Sequence, residues 1–163
     1  MGTRTTTITL ADDQLRFEAV VGSGHTIVLD DSQGNTGARP VELLGAALGA
    51  CTAMDVISIL RKKRQPVSRY EVRVTALQAE SQPRAFLRFD VVHALDGEGI
   101  DPEAVRRSIE LSARRYCAVG ATLASGALEI HHAYLLRDAS GDERYAEVLV
   151  VGPGYVPETT AGS

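Results

Sequence analysis

Residues 39–64 read RPVELLGAALGACTAMDVISILRKKR, and the interpretation of the whole chain turns on this stretch. Pro40 suits the first turn of a helix, where a missing N–H costs nothing, and the next break is Pro66, so the segment is predicted to be one long helix. At about 1.5 Å per residue it would span roughly 36 Å. Between Val41 and Leu60 only Glu42 and Asp55 carry charge, and apolar side chains fall on every side rather than on one stripe. A helix of that kind is expected to be buried all round. Gly45, Gly49 and Ala53 recur at a four-residue spacing with Ala46 and Ala50 alongside, so another backbone could approach closely. Cys51, one of two cysteines, sits in the middle.

Upstream, Thr5–Leu10 and Leu15–Val21 are β-branched runs flanking the polar turn Ala11-Asp12-Asp13-Gln14, which predicts a hairpin. His25–Asp30 is a third short strand, and DSQGNTGA at 31–38 is a polar, glycine-bearing loop. Downstream, Tyr70, Val72, Val74 and Ala76 alternate with polar residues, as do Leu87, Phe89 and Val91, giving two half-buried strands about a turn near Ser81-Gln82-Pro83. Leu95–Gly99 reads as a loop. Asp101-Pro102-Glu103 is a strong helix start, and Val105, Ile109, Ser112 and Tyr116 would share one face of that helix, with Cys117 at its end. A short helical turn over Ala118–Ala124, a core strand from Leu128 to Tyr134 and a strand-like piece at Ala146–Val151 follow.

Strands, a long helix, more strands, a second helix and further strands describe an α+β fold, with helices on one face of largely antiparallel sheet. One sheet cannot cover a helix that is apolar on all sides, so a homodimer with paired central helices is the simplest completion. Residues 1–155 are expected to form a single domain, and 156–163 a disordered tail.

The net charge of −4 and the lack of a basic stripe interleaved with aromatics argue against nucleic acid as a partner. The cations at 61–64 read as a helix C-terminus complementing the macrodipole. The first ten residues lack the cationic segment and apolar core of a secretory signal, and polar loops and strands surround the long helix, so a cytoplasmic protein without a membrane span is expected. No phosphate loop, nucleophile-elbow serine or HExxH motif occurs. The four histidines are scattered, and neither cysteine has zinc-site spacing, so no metal or cofactor is called for. His132 reads as a satisfied core or interface histidine.

Two cysteines without a secretory context suggest redox or catalytic use, with inert buried thiols as the bland alternative. A thiol deep in an apolar helix has its pKa raised unless a cation or donors favour the thiolate. Arg39, Arg114 and Arg115 are the available cations. Asp55, one turn after Cys51, would oppose thiolate formation, and Glu42 lies on the opposite side of an ideal helix from Cys51.

The run Pro40–Leu44 followed by Ala46–Val56 resembles the signature around the first cysteine of the OsmC/Ohr family, and Tyr116–Leu123, YCAVGATL, resembles the motif around the second. The order of elements matches from Thr5 to Leu136. CTAMDVISILRKKRQ is closer to a less characterised OsmC-like branch. The resemblance implies an OsmC-like fold, sheets wrapped around a buried central helix in an intertwined homodimer, and a thiol peroxidase acting on organic hydroperoxides in stress defence. By carry-over Cys51 would be the peroxidatic thiol, Cys117 the resolving thiol and Glu42 the acid that orients a catalytic arginine. The loop arginine of the peroxidase branches has no counterpart between Gly22 and Gly37, which leaves Arg39 as the nearest substitute. The expected cycle is a Cys51 sulfenic acid, then a Cys51–Cys117 disulfide, then reduction by an external dithiol, with no bound cofactor. The alternative is a non-catalytic stress-response dimer that binds a small ligand.

Overall fold

In a computed structural model, which describes residues 2–124, 126 and 129–151, the chain divides into two compact units with the boundary between Leu44 and Gly45. The first holds a three-stranded antiparallel sheet, β1 (Thr7–Leu10), β2 (Phe17–Val20) and β3 (Thr26–Leu29), in sequential order. Asp12 closes the first turn by accepting from the Gln14 N–H, and Gly24 takes positive φ in the second. The loop after β3 is wound about one carboxylate. Asp30 is buried and accepts from the Asp31 and Thr36 N–H groups and from the Thr36 hydroxyl, which holds its carboxyl below the usual range. Glycine is required at 34 and 37, where a Cβ would meet the Asp30 carboxylate at 2.5 Å and the Val28 carbonyl oxygen at 2.6 Å.

The long helix α1 runs unbroken from Glu42 to Lys62, two or three residues inside the span expected at each end. Within a single chain it is covered on one side. Leu48, Thr52, Val56 and Leu60, at a spacing of four, are fully buried, whereas Ala47, Ala50, Met54 and Ser58 are exposed, Met54 at 70%. Within one chain the second unit offers one sheet face, and a cylinder laid on it buries one side.

That sheet has the order β4 (Arg69–Gln78), β5 (Phe86–Asp96), β6 (Glu129–Arg137) and β7 (Glu143–Val151). β5 and β6 are parallel and the other pairs antiparallel. Phe89, Val91, His93 and Leu95 alternate inward along β5, and the same alternation carries the strand through Leu95 and Asp96, which the sequence assigned to a loop. β6 and β7 are likewise longer than expected. Gly45 and Gly49 let α1 close on β4, where a Cβ on Gly49 would stand 2.9 Å from Val74.

Between β5 and β6 come α2 (Pro102–Leu111), a π-helical turn (Ser112–Tyr116) and α3 (Ala118–Leu123). Asp101 caps α2 by accepting from the Glu103 N–H. Val105, Ile109 and Ser112 are buried as the periodicity requires, but Tyr116 is exposed, because the wide turn adds a residue and rotates the face. One core cluster gathers Val56, Leu60, Leu95, Val105, Ile109 and Leu136, and a second gathers Leu48, Phe89, Val91, Cys117 and Ile130 with Cys51 against it. The expected tail at 156–163 lies outside the described residues.

Gly97, just past β5, gives a stability prediction. A Cβ there would lie 2.1 Å from the Pro66 carbonyl oxygen and 2.8 Å from Ile100 Cδ1, and the first is backbone that cannot rotate away. Gly97→Ala is expected to cost about 3 kcal/mol, roughly 10 °C in Tm by thermal denaturation. An unchanged Tm would mean that the Pro66 turn is free to shift.

Candidate active site

The second unit brings the two cysteines together. Cys51, on the middle turn of α1, is half-buried, and Cys117 is buried at the junction of the π turn and α3. Both are free thiols. Cys117 is the N-cap of α3: its N–H donates to the Ser112 carbonyl at 2.9 Å, closing the π turn, and its Sγ accepts from the Gly120 N–H at 3.2 Å. Gly120 is tight here, since a Cβ would stand 3.4 Å from that sulfur.

Cys51 packs against the core cluster that holds Cys117 and bears on its thiol. Burial, the largest influence, pushes the Cys117 thiol up to about 12; the neighbouring Cys51 adds to this and the Gly120 N–H works against it. Cys117 is therefore protonated at neutral pH. The charge of Asp55, expected to bear on Cys51, contributes to raising Cys117.

Arg39 and Glu42 form a second pair, in the first unit. Arg39 Nη1 lies 2.8 Å from Glu42 Oε1, and the Arg39 N–H donates to Glu42 Oε2 at 3.0 Å, so Glu42 binds the arginine from both ends and caps the first turn of α1. The backbone bond first and the guanidinium second hold the Glu42 carboxyl below its usual range. Arg39 also lines an apolar cavity of about 570 Å³ with Ile8, Leu15, Phe17, Leu29 and Pro40. Arg114 and Arg115 are exposed, and Arg115 stacks over Tyr116 at 5.9 Å.

A profile of the family described as OsmC-like protein matches residues 32–132, well over half of the chain and inclusive of both cysteine motifs. The chain belongs to the OsmC-like family. Protein YhfA of Escherichia coli K12 is 38% identical over 120 residues, covering 74% of this chain and 89% of that protein. Among solved structures, an OsmC-like protein from Mycoplasma pneumoniae superposes with a TM-score of 0.70 at 18% identity, covering 83% of this chain and 97% of that one. An organic hydroperoxide resistance protein from Elizabethkingia anophelis gives a TM-score of 0.55 at 17% identity over 81% of this chain and 94% of its own. The likeness to these two is one of fold, so the OsmC-like α+β architecture expected from the sequence is the one this chain adopts.

Two polar groupings around the OsmC-like cysteine pair went unread in the sequence. Thr52 and Ser112 are fully buried, and Ser112 Oγ lies 3.1 Å from Thr52 Oγ1 and 2.9 Å from Asp55 Oδ2. A threonine and an aspartate three apart on the packed side of an otherwise apolar helix were the available signal. The second grouping is a stack of Tyr70, His93 and His132. The Tyr70 hydroxyl is 2.6 Å from His93 Nδ1, and the ring centroids of His93 and His132 are 6.3 Å apart. His132 is not satisfied as expected: its Nδ1, like His93 Nε2, is buried with no partner among the described residues. Burial lowers His93 to about 3 and His132 to about 4, so both are neutral at pH 7. Among the described residues no three His, Cys, Asp or Glu side chains are grouped to hold a metal ion.

Proposed function

We propose that this OsmC-like protein is a cysteine-based hydroperoxide reductase in which Cys51 attacks the peroxide and Cys117 resolves the product. The meeting of Cys51 and Cys117 in one core cluster carries the reading, because two inert cysteines have no reason to be brought together from different elements. Cys51 thiolate would take the distal peroxide oxygen and release an alcohol, forming a sulfenic acid. Cys117 would then displace water to give the disulfide, which an external dithiol reduces. Arg39 and Glu42 enter through the resemblance and their mutual ion pair, as the cation and the acid that orients it. The apolar residues packed around Cys51 favour alkyl or fatty-acid hydroperoxides over hydrogen peroxide. Consumption of cumene hydroperoxide by the purified protein with a dithiol tests the reading; no turnover would favour the ligand-binding alternative.

The same reading includes a homodimer. Ala47, Ala50 and Met54 form an exposed apolar stripe on α1, with small residues that would let a second copy of the helix approach. Sedimentation at micromolar concentration is expected to give twice the mass of the chain, and a stable folded monomer would remove the inference.

A further inference from the structure

Ser112 is tied to both sides of the cysteine pair. Its hydroxyl has one proton, and an ionised carboxylate only accepts, so Ser112 Oγ donates to Asp55 and Thr52 Oγ1 donates to Ser112. This orders the chain Thr52 to Ser112 to Asp55, with each hydroxyl proton used. A buried polar chain in an apolar core is tolerable only when complete, and once complete it fixes the elements it joins in one register. The elements are α1, which carries Cys51 next to Thr52, and the π turn, whose closing bond runs from the Cys117 N–H to the Ser112 carbonyl at 2.9 Å. One residue is therefore pinned to α1 through its side chain and holds Cys117 through its backbone.

We infer that the Thr52–Ser112–Asp55 chain is a positioning latch that sets the π turn, and with it Cys117, against Cys51 for disulfide formation. The inference rests on the reading of Cys51 as the oxidised thiol and Cys117 as its resolver. In the condensation the Cys117 sulfur bonds to the Cys51 sulfur and the S–O bond of the sulfenic acid breaks. The oxygen leaves as water with the Cys117 proton, and no further oxidant or reductant takes part. Attack must come along the S–O axis, and a misplacement of about 1 Å in such a step costs on the order of 100-fold. The latch acts on this step alone, because the first step needs Cys51 and peroxide but not Cys117.

The charge of the latch adds an electrostatic signature. The groups of α1 that bear on Cys117 are the Cys51 thiol and the Asp55 carboxylate, both of which hold its proton on, and the Gly120 N–H of its own segment opposes them. Asp55→Asn keeps an oxygen for Ser112 to donate to and removes the charge, so it should preserve the latch while easing deprotonation of Cys117.

The test resolves the two steps in the full-length protein by quenched flow after one equivalent of cumene hydroperoxide, trapping sulfenic acid with a dimedone-type probe and counting disulfide by mass spectrometry. Ser112→Ala should form the Cys51 sulfenic acid at the parental rate and condense at least about 10-fold more slowly, with more Cys51 over-oxidised in excess peroxide. Asp55→Asn should condense readily, with its pH profile displaced to lower pH; Thr52→Val, which removes the hydroxyl at the other end of the chain, should slow condensation and not sulfenic acid formation, and carries the test if Ser112→Ala does not fold. Parental condensation in Ser112→Ala or Thr52→Val, or equal slowing of both steps, would overturn the latch. Should the parent form no sulfenic acid, the functional reading fails and not the latch. Diamide, which takes two hydrogens from a thiol pair, then supplies the readout: slower Cys51–Cys117 disulfide formation in Ser112→Ala supports the latch, and an equal rate removes it.

Discussion

Cys51→Ser is expected to abolish hydroperoxide consumption, whereas Cys117→Ser should consume about one equivalent per subunit and then stall or over-oxidise, as one thiol going to one sulfenic acid requires. The asymmetry follows from their different burial, Cys51 being half-buried and Cys117 buried. Cys117, held protonated by burial and by Cys51, is a poor nucleophile toward peroxide but is in place to react with a sulfenic acid on its neighbour. A stoichiometric pulse read by mass spectrometry should show loss of two hydrogens in the parent and gain of one oxygen in Cys117→Ser. Arg39→Met belongs to the same series. It leaves Glu42 without the guanidinium that it binds, and if Arg39 serves the peroxidatic thiol, as the resemblance implies, alkylation of Cys51 should need higher pH. An unchanged profile would assign activation of the thiolate to another cation. Two free thiols in the parent after excess organic hydroperoxide, or parental turnover by Cys117→Ser, would end the scheme.

The outline of this fold was legible because it is written in periodicity. The hairpin, α1, the capped start of α2 and the alternating strands all appear where the pattern put them, and two cysteine motifs in the right order identified the family. What escaped was set by tertiary contact. The exposed side of α1 is as apolar as the packed side, so composition could not tell which would be covered. Tyr116 left its expected face because the π turn ahead of Cys117 inserts a residue, and no residue type announces a wide turn. Ser112 was assigned to a core face correctly, yet its partners lie 60 and 57 positions away on α1, beyond the reach of any local rule. The Arg39–Glu42 pair lay within one turn of sequence and could be read as neighbours. His93 and His132 were passed over because a histidine at an inward strand position looks the same whether or not its ring nitrogens find partners.

Those two histidines should make the protein acid-labile well above the range in which carboxylates titrate. In the fold they stay neutral down to about 3 and about 4, while in the unfolded chain each takes a proton near the ordinary value of 6.5. The sign follows directly. Below pH 6.5 the unfolded state binds protons that the native state refuses, so the stability from keeping both rings neutral is full above that pH and is lost as pH falls toward the folded values. Each ring contributes about 1.4 kcal/mol per pH unit across that window, so the pair removes about 2.8 kcal/mol per unit, a large fraction of the ~5–15 kcal/mol that a domain has. Carboxylates held low by their partners, such as Asp30 and Glu42, weaken the fold only as pH falls through the carboxylate range, so the upper part of the window reports on histidine. Thermal melts at constant ionic strength should therefore show Tm falling steadily from pH 6.5 to pH 4.5. His132→Phe keeps a flat ring in the stack and removes a buried nitrogen that lacks a partner, so it should be at least as stable as the parent at pH 7 and lose about half of the slope. A Tm that is level across the window, or a His132→Phe variant that retains the whole slope, would show that these rings are protonated or solvated in the native state.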